Sequence, residues 1–369
     1  MKIAESTVGL VRAPLKVSWA DQTHQANAID LVIVRLRSND GLEGVGYSWS
    51  LGVGSSAVAA MLEREVLPLL GNSEVSPRRT WPWLWARLHD AGGGGVVSFA
   101  LAAVDIALWD LAGKEQGRSL VELLGIQRDE IKAYGSGIDL HFTADELVRE
   151  VSGWMEAGYR GVKIKVGHQA DGEDERRVEA VKQLAGSLPV MVDANQGWNL
   201  ASARRECARL STLGVLWVEE PLLADDVEGH ARLRSGAGTA IAAGENLYTK
   251  FQFRDYLVRD ALDYCQPDVV RVGGITPFLP IAELAAAWDV PLAPHYNVEL
   301  TGQLLCCLEG AEWVEDVQGG SLWELGILAE KVGVENGLFR PPGAPGHGLM
   351  FDWGAVERRT VGRTDSVNT

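Results

Sequence analysis

Gly161-Val162-Lys163-Ile164-Lys165, Val190-Met191-Val192-Asp193, Leu216-Trp217-Val218-Glu219 and Ile241-Ala242-Ala243-Gly244-Glu245 are short apolar runs, each closed by an ionisable residue. Tyr264-Cys265-Gln266-Pro267-Asp268, Pro291-Leu292-Ala293-Pro294-His295 and Trp313-Val314-Glu315 continue the series, and Ile131-Lys132-Ala133-Tyr134 supplies a first member. Amphipathic stretches separate the runs, which recur every 20–30 residues, the length of one βα unit. Eight such strands close a barrel of about 250 residues, with all C-terminal strand ends at one mouth. Strand ends are often charged merely because loops are wet. That explains one or two positions, but not Lys, Lys, Asp, Glu, Glu, Asp, His and Glu all at the same end.

The first 125 residues read differently. Leu31-Val32-Ile33-Val34-Arg35-Leu36 ends at the turn signal Ser38-Asn39-Asp40-Gly41, and Glu43-Gly44-Val45-Gly46-Tyr47 resumes the extended pattern, a hairpin. Residues 57–70 and 97–111 then show helical spacing. The expected organisation is an α+β capping domain over 1–125, a (β/α)₇β catalytic barrel (a modified TIM barrel, α/β class) over 126–320, and a segment over 321–369 that returns to the cap. The tail from residue 356 is polar and is expected to fray.

The chain has 369 residues and a net charge of −16. This acid excess argues against a nucleic-acid partner, which needs clustered Lys and Arg. The most apolar stretch, residues 96–112, carries Asp105 and Asp110 and reads as too short and too polar to span a bilayer. Met1-Lys2-Ile3-Ala4-Glu5 shows no secretory pattern, so the expected location is cytoplasmic. Cys207, Cys265, Cys306 and Cys307 match no zinc or disulfide pattern and read as buried thiols.

Asp193, Glu219 and Glu245 close consecutive strands. Three carboxylates with water suit a hard dication such as Mg²⁺; without one they would repel and raise each other's pKa. Lys163 and Lys165 lie two apart, so both face the mouth, where repulsion and burial are expected to lower the pKa of one and make it a base. Two other readings stand beside this: the lysines neutralise the carboxylates, or one forms a Schiff base as in aldolases. His295 with Asp268 on the neighbouring strand makes a second base, opposite the first. Glu315, if kept protonated, would hydrogen-bond a developing oxyanion. Together these parts indicate proton abstraction α to the carboxylate of a small anionic substrate, with the metal stabilising an enediolate. A non-catalytic metal-binding scaffold would not need both bases.

The same residues resemble the enolase superfamily, mandelate racemase subgroup, along nearly the whole chain. The resemblance rests on residues 103–114 (Ala-Val-Asp-Ile-Ala-Leu-Trp-Asp-Leu-Ala-Gly-Lys), Lys163-Ile164-Lys165, Asp193-Ala194-Asn195-Gln196, Glu219-Glu220-Pro221, Gly244-Glu245-Asn246, Asp268 with His295, and Trp313-Val314-Glu315. It implies one Mg²⁺ per subunit on Asp193, Glu219 and Glu245, substrate contacts from Lys163, Asn195 and Glu315, and a homo-oligomer, dimer to octamer. Residues 217–222, 228–231 and 271–279 look most like acid sugar dehydratases of the galactarate and talarate type; residues 294–300 are similar but not the same, and residues 316–320 depart from them. The expected activity is dehydration of a sugar acid to a 2-keto-3-deoxy acid, with racemisation or epimerisation of a 2-hydroxy acid by Lys165 and His295 as the alternative.

Two segments are lid candidates: Gly52-Val53-Gly54, and residues 15–25 with Lys16, Trp19 and His24. Gly92-Gly93-Gly94-Gly95 lacks the ending of a phosphate loop and reads as a connection. Trp81, Trp83 and Trp85 read as packing or subunit contacts, and His89, His141, His168, His230 and His347 as structural or surface residues.

Overall fold

The structure, a computed structural model, describes residues 1–168, 170 and 172–364. It opens with β1 (Ile3–Ala20), β2 (Gln25–Ser38) and β3 (Glu43–Ser50), antiparallel neighbours in one sheet. α1 (Ser55–Met61) passes through a π-helical turn (Leu62–Val66) into α2 (Leu67–Leu70), and α3 (Pro77–Leu88), α4 (Val96–Gln116) and α5 (Leu120–Leu124) follow. The glycine run 92–95 connects α3 to α4.

α4 presses directly on β3, and two glycines make this possible. A Cβ at Gly46 would lie 2.0 Å from the Ala103 carbonyl oxygen, and one at Gly44 2.3 Å from that of Ala107. α4 is 21 residues long, which corrects the expectation of a segment too short to cross a bilayer. By length and composition it would pass; 89% of its apolar window is buried inside the protein, as in a core helix. Its two aspartates have fixed partners. The Asp110 carboxylate accepts from Val45 N–H (2.9 Å) and Lys114 Nζ (2.7 Å), and that of Asp105 from Thr276 N–H and Oγ1–H (2.8 and 2.6 Å).

Strands and helices then alternate. In order come β4 (Ile131–Ser136), α6 (Ala144–Glu156), β5 (Val162–Lys165), α7 (Glu173–Ala185), β6 (Val190–Asp193), α8 (Leu200–Thr212) and β7 (Trp217–Glu219). The series continues with α9 (Val227–Arg234), β8 (Ala240–Ala243), α10 (Lys250–Val258), β9 (Tyr264–Cys265), α11 (Ile275–Ala287), α12 (Val298–Leu305) and β10 (Val314–Val317). Capping boxes start α6 (Thr143, Glu146) and α10 (Thr249, Gln252). β4 to β9 are parallel neighbours in sequence order, and β10 pairs in parallel with β4. The seventh strand shrinks to bridges from Leu292 to Cys265 and Ala311. Pro291 and Pro294 flank it and have no N–H to offer a ladder. The result is a (β/α)₇β barrel whose floor is an apolar cluster of Tyr134, Met191, Trp217, Ala242, Ala293 and Trp313.

The hairpin β11 (Val334–Glu335) and β12 (Leu338–Phe339) pairs with the start of β4. α13 (Trp353–Arg359) and β13 (Thr360–Thr364) then run back to the first sheet, where β13 pairs antiparallel with β1. The expectation that the chain frays from residue 356 is therefore wrong up to Thr364; residues 365–369 lie outside the described residues. Asp352 caps α13, and Trp353 stacks under the Arg35 guanidinium at 4.2 Å. The polarity read as fraying belongs to the solvent side of a helix and to an edge strand.

Candidate active site

Side-chain alternation along short strands builds the mouth. On β5, Lys163 and Lys165 both face inward, and both are buried. On β6 and β7 the last residues, Asp193 and Glu219, do the same. β8 stops at Ala243, and Gly244, at φ 144°, turns the chain so that Glu245 enters the mouth. A side chain at Gly244 would meet the Gln266 backbone at 2.9 Å. One oxygen each from Asp193, Glu219 and Glu245 lies within 4.8 Å of the others, and all three residues are buried. Three hard oxygen donors with no sulfur or nitrogen among them fit Mg²⁺.

Neighbours fix the trio. Glu219 Oε2 accepts from Gln266 Nε2 (2.7 Å) and Trp217 Nε1 (3.1 Å), and Asp193 Oδ1 from Asn195 N–H (2.8 Å). Arg271 donates to Glu245 Oε1 (3.2 Å) and to Asn246 Oδ1 (2.5 Å). Burial pushes the Glu219 carboxyl up to about 7; Lys163 opposes this, while Asp193, Glu315 and Glu245 add to it. Glu245 departs from the expected mutual repulsion. Burial would raise its pKa, but His295, Arg271 and the two lysines bring it below the usual value.

The lysines also behave differently from expectation. Lys163 Nζ sits 2.6 Å from Glu219 Oε1 and 2.7 Å from Glu315 Oε1, and Lys165 Nζ 2.5 Å from Asp193 Oδ2. Burial lowers both pKa values, yet the carboxylates outweigh it and hold both above the ordinary lysine value. Neither is depressed, because each ammonium touches a carboxylate at 2.5–2.7 Å.

Across the mouth, His295 Nδ1 lies 2.8 Å from Asp268 Oδ2, and Nε2 lies 3.4 Å from Glu245 Oε2. Asp268 is itself held by the N–H groups of Val270 (2.7 Å) and Arg271 (3.0 Å). Burial disfavours the imidazolium, but Glu245, Asp268 and Glu315 raise the His295 pKa above its usual value. The carboxylate trio thus lies between Lys165, on Asp193, and His295, on Glu245. Glu315 does not meet its expected condition. Despite burial, Lys163 and His295 draw its pKa down to about 2, and it accepts from Tyr296 N–H (2.8 Å), so it is ionised rather than protonated.

Asn195 follows β6 at φ 41°, in the left-handed region, and its buried Oδ1 finds no hydrogen-bond partner among the described residues. Both lid candidates adjoin the mouth, in different ways. Gly52-Val53-Gly54 makes the turn after β3 with Val53 84% exposed; the contact comes from Trp49 just before it, whose ring lies 5.8 Å from that of His295. The β1–β2 hairpin brings Trp19 to Tyr296, ring centroids 6.4 Å apart, and Trp19 N–H to the Gln318 carbonyl (3.1 Å).

The supporting roles of Trp217, Gln266 and Arg271 were not read from the sequence. Gln266 had a signal: it alternates with Asp268 after β9. Trp217 likewise sits two before Glu219. Elsewhere, Trp81 and Trp85 stack on each other at 6.2 Å, His230 and His347 are buried away from the mouth, and the four cysteines are buried thiols.

Comparison with known proteins bears on the whole chain. The family model described as "Mandelate racemase / muconate lactonizing enzyme, N-terminal domain" matches residues 3–125, and that described as "Enolase C-terminal domain-like" matches 146–355. A 3,6-anhydro-alpha-L-galactonate cycloisomerase of Streptomyces coelicolor is 36% identical over 96% of this chain and 98% of its own. An L-talarate/galactarate dehydratase of Salmonella typhimurium is 36% identical over 90% of this chain and 82% of its own. The crystal structure of an L-talarate dehydratase from a Polaromonas species, complexed with Mg and L-glucarate, superposes with a TM-score of 0.91 at 34% identity, covering 100% of this chain and 99% of that one.

Proposed function

The chain belongs to the mandelate racemase/muconate lactonizing enzyme family of the enolase superfamily, and from that premise we propose that it is a Mg²⁺-dependent dehydratase of a sugar acid. The observation that carries this reading is the buried carboxylate trio flanked on one side by Lys165 and on the other by the His295–Asp268 pair. Asp193, Glu219 and Glu245 hold the metal. Bound there, Mg²⁺ would polarise the substrate carboxylate, stabilise negative charge arising on it and offset the carboxylate charge that holds Lys165 protonated. Lys163, anchored on Glu219 and Glu315, donates to the substrate carboxylate. Lys165 takes the α-proton. His295, kept charged and oriented by Asp268, gives its Nε2 proton to the departing β-hydroxyl, which leaves as water; the enol so formed tautomerises to a 2-keto-3-deoxy acid. Asn195 meets a substrate hydroxyl through Oδ1, and Glu315 fixes Lys163. The enzyme works in the cytoplasm as a homo-oligomer.

The same two bases would serve a racemase, with His295 returning the proton to the opposite face. Incubating aldonic and aldaric acids with enzyme and Mg²⁺ in D₂O separates the readings. Keto acid formation is expected; α-deuterium uptake with inversion and no keto acid would replace the dehydratase by a racemase or epimerase. Borohydride is expected to trap no substrate on Lys163 or Lys165, and a trapped adduct would point to an aldolase instead.

A further inference from the structure

β4 runs out before β5 does. Gly135 and Ser136 pair with Val162 and Lys163, and Gly137 N–H donates to the Lys163 carbonyl (3.0 Å) before the chain turns away from the sheet. The next donor on this edge of β5 is the N–H of Lys165, to which a continued strand would offer a main-chain carbonyl. Asp139 takes that place: its Oδ1 accepts from Lys165 N–H at 3.0 Å. On this side the backbone of Lys165 is therefore tied to its neighbour through a carboxylate.

Asp139 is wholly buried and gripped by Arg177 of α7. Arg177 Nη2 donates to its Oδ1 (3.2 Å) and its carbonyl (3.0 Å), and Nη1 to the Phe142 carbonyl (2.6 Å). The second oxygen of Asp139 faces another carboxyl, Glu150 of α6. A Cβ at Gly137 would lie 2.0 Å from Asp139 Oδ2 and 2.8 Å from Glu150 Oε2, so both oxygens close over the same glycine. Both are buried, and neither has a donor among the described residues. Ionised carboxylate oxygens only accept, so two of them share a dry interior when a proton lies between them. Arg177 and Lys165 are the cations that face the pair. His168 Nε2, 2.9 Å from the Leu140 carbonyl on the same loop, belongs to a ring whose Nδ1 is 2.7 Å from Asp174. Burial raises both carboxyls. Arg177 and Lys165 oppose this at Asp139, whereas Asp139 adds to it at Glu150, which is pushed up to about 9.

Lys165 has to bring Nζ to one carbon of a substrate held at the carboxylate trio, and a misplacement of about 1 Å costs up to about 100-fold in rate. With the proton in place, Asp139 Oδ2 is fixed on Glu150 and Oδ1 stays on Lys165 N–H. Without it, two buried anions repel and drive Asp139 off that bond. Resting on the reading of Lys165 as the base that takes the α-proton, we propose that Asp139 and Glu150 share one proton and, gripped by Arg177, are positioning residues that hold Lys165 within reach of the α-carbon.

Keto acid formation in Mg²⁺ tests this, with the aldonic or aldaric acid turned over fastest (galactarate and D-galactonate tried first) in α-protiated and α-deuterated form. Asp139→Ala is expected to lower kcat about 30-fold, to leave KM within about threefold and to raise the deuterium isotope effect on kcat, as proton abstraction becomes the slow step. Asp139→Asn still offers Oδ1 to Lys165 and donates its amide to Glu150, and is expected to bring kcat back to within about threefold of wild type. The shared proton is read from pH. Activity that depends on it is complete well below the Glu150 value and is lost as pH rises through about 9. Glu150→Gln donates to Asp139 at every pH, so the ratio of its kcat to that of wild type is expected to rise about fivefold from pH 7 to pH 10, the titration of His295 being common to both. An unchanged kcat and isotope effect in Asp139→Ala, a loss as deep in Asp139→Asn, or a flat ratio would overturn the proposal and leave Lys165 as the base. If Asp139→Ala does not fold, the ratio decides alone. Full turnover by Lys165→Ala, or neither keto acid nor α-deuterium exchange from any acid, would overturn the reading on which the proposal rests, and the proposal with it.

Discussion

On β7, Trp217 and Glu219 occupy successive inward positions of one strand; Met191 and Asp193 do so on β6, and Trp313, just before β10, pairs in the same way with Glu315 on it. The first member of each pair packs into the apolar floor with Tyr134, Ala242 and Ala293, and the second meets cations. All six are buried to within a few per cent, so burial alone does not separate structure from chemistry. What separates them is a single step of the strand's two-residue period. The layers also touch. Trp217 donates to Glu219 Oε2, and Lys163 Nζ lies 5.5 Å from the Tyr134 ring centroid. The floor keeps water from below and orients the carboxylate above it.

Each layer can be broken without the other. Lys165→Ala removes the proposed base of the upper layer, and kcat for keto acid formation is expected to fall by about 10³–10⁴-fold. Turnover within tenfold of wild type would remove Lys165 from proton abstraction. Trp217→Ala empties the floor instead. Unfolding by urea is expected to reveal a loss of about 3–5 kcal/mol, the cost of a cavity beneath the mouth. Trp217→Phe keeps most of the packing and deletes only the N–H that reaches Glu219. Calorimetric titration is then expected to find Mg²⁺ affinity about tenfold weaker, the usual scale for a lost hydrogen bond to a metal ligand. Unchanged affinity would mean that Gln266 alone fixes Glu219.

The same contrast decides what was legible in the sequence. Asp193, Glu219, Glu245 and His295 stand out because each interrupts an apolar run at a barrel-like interval, a one-dimensional signal that survives without coordinates. Arg271 and Trp49 carry no such signal. Their positions depend on the turn between β9 and α11 and on a strand of the capping sheet. Charge state was the least legible property. Repulsion and burial were expected to depress one lysine, and Glu315 was to donate a hydrogen bond only if its neighbours kept it protonated. Side chains from four strands, interleaved within 2.5–2.7 Å, reverse the first and leave the second condition unmet. The last turn of the chain was misread for a similar reason: an edge strand paired on one side only is as polar as a loop.

Glu315 and Asp105 sharpen the comparison further, because both are wholly buried carboxyls that differ in what faces them. Glu315 has Lys163 at 2.7 Å, and its pKa is drawn down to about 2. Asp105, on α4, is held by the neutral donors of Thr276, whose hydroxyl also accepts from Trp109 Nε1 at 3.0 Å. Burial there outweighs the Thr276 hydrogen bonds and the more distant Arg78, and pushes its pKa up to about 7. A carboxyl raised in the folded state binds its proton more tightly there than in the unfolded chain. Its contribution to stability is therefore complete below the unfolded value near 4 and is lost as pH rises through 7. From pH 6 to 7 this group alone is expected to remove about 1 kcal/mol of unfolding free energy. Asp105→Asn retains an oxygen to accept from Thr276 and has no proton to lose. The difference between wild-type and variant urea midpoints is expected to shift in the variant's favour over that interval, whatever the other titrating groups contribute to both. Parallel midpoints would mean that Asp105 stays ionised, and that Thr276 and Arg78 do at the cap–barrel seam what Lys163 does at the mouth.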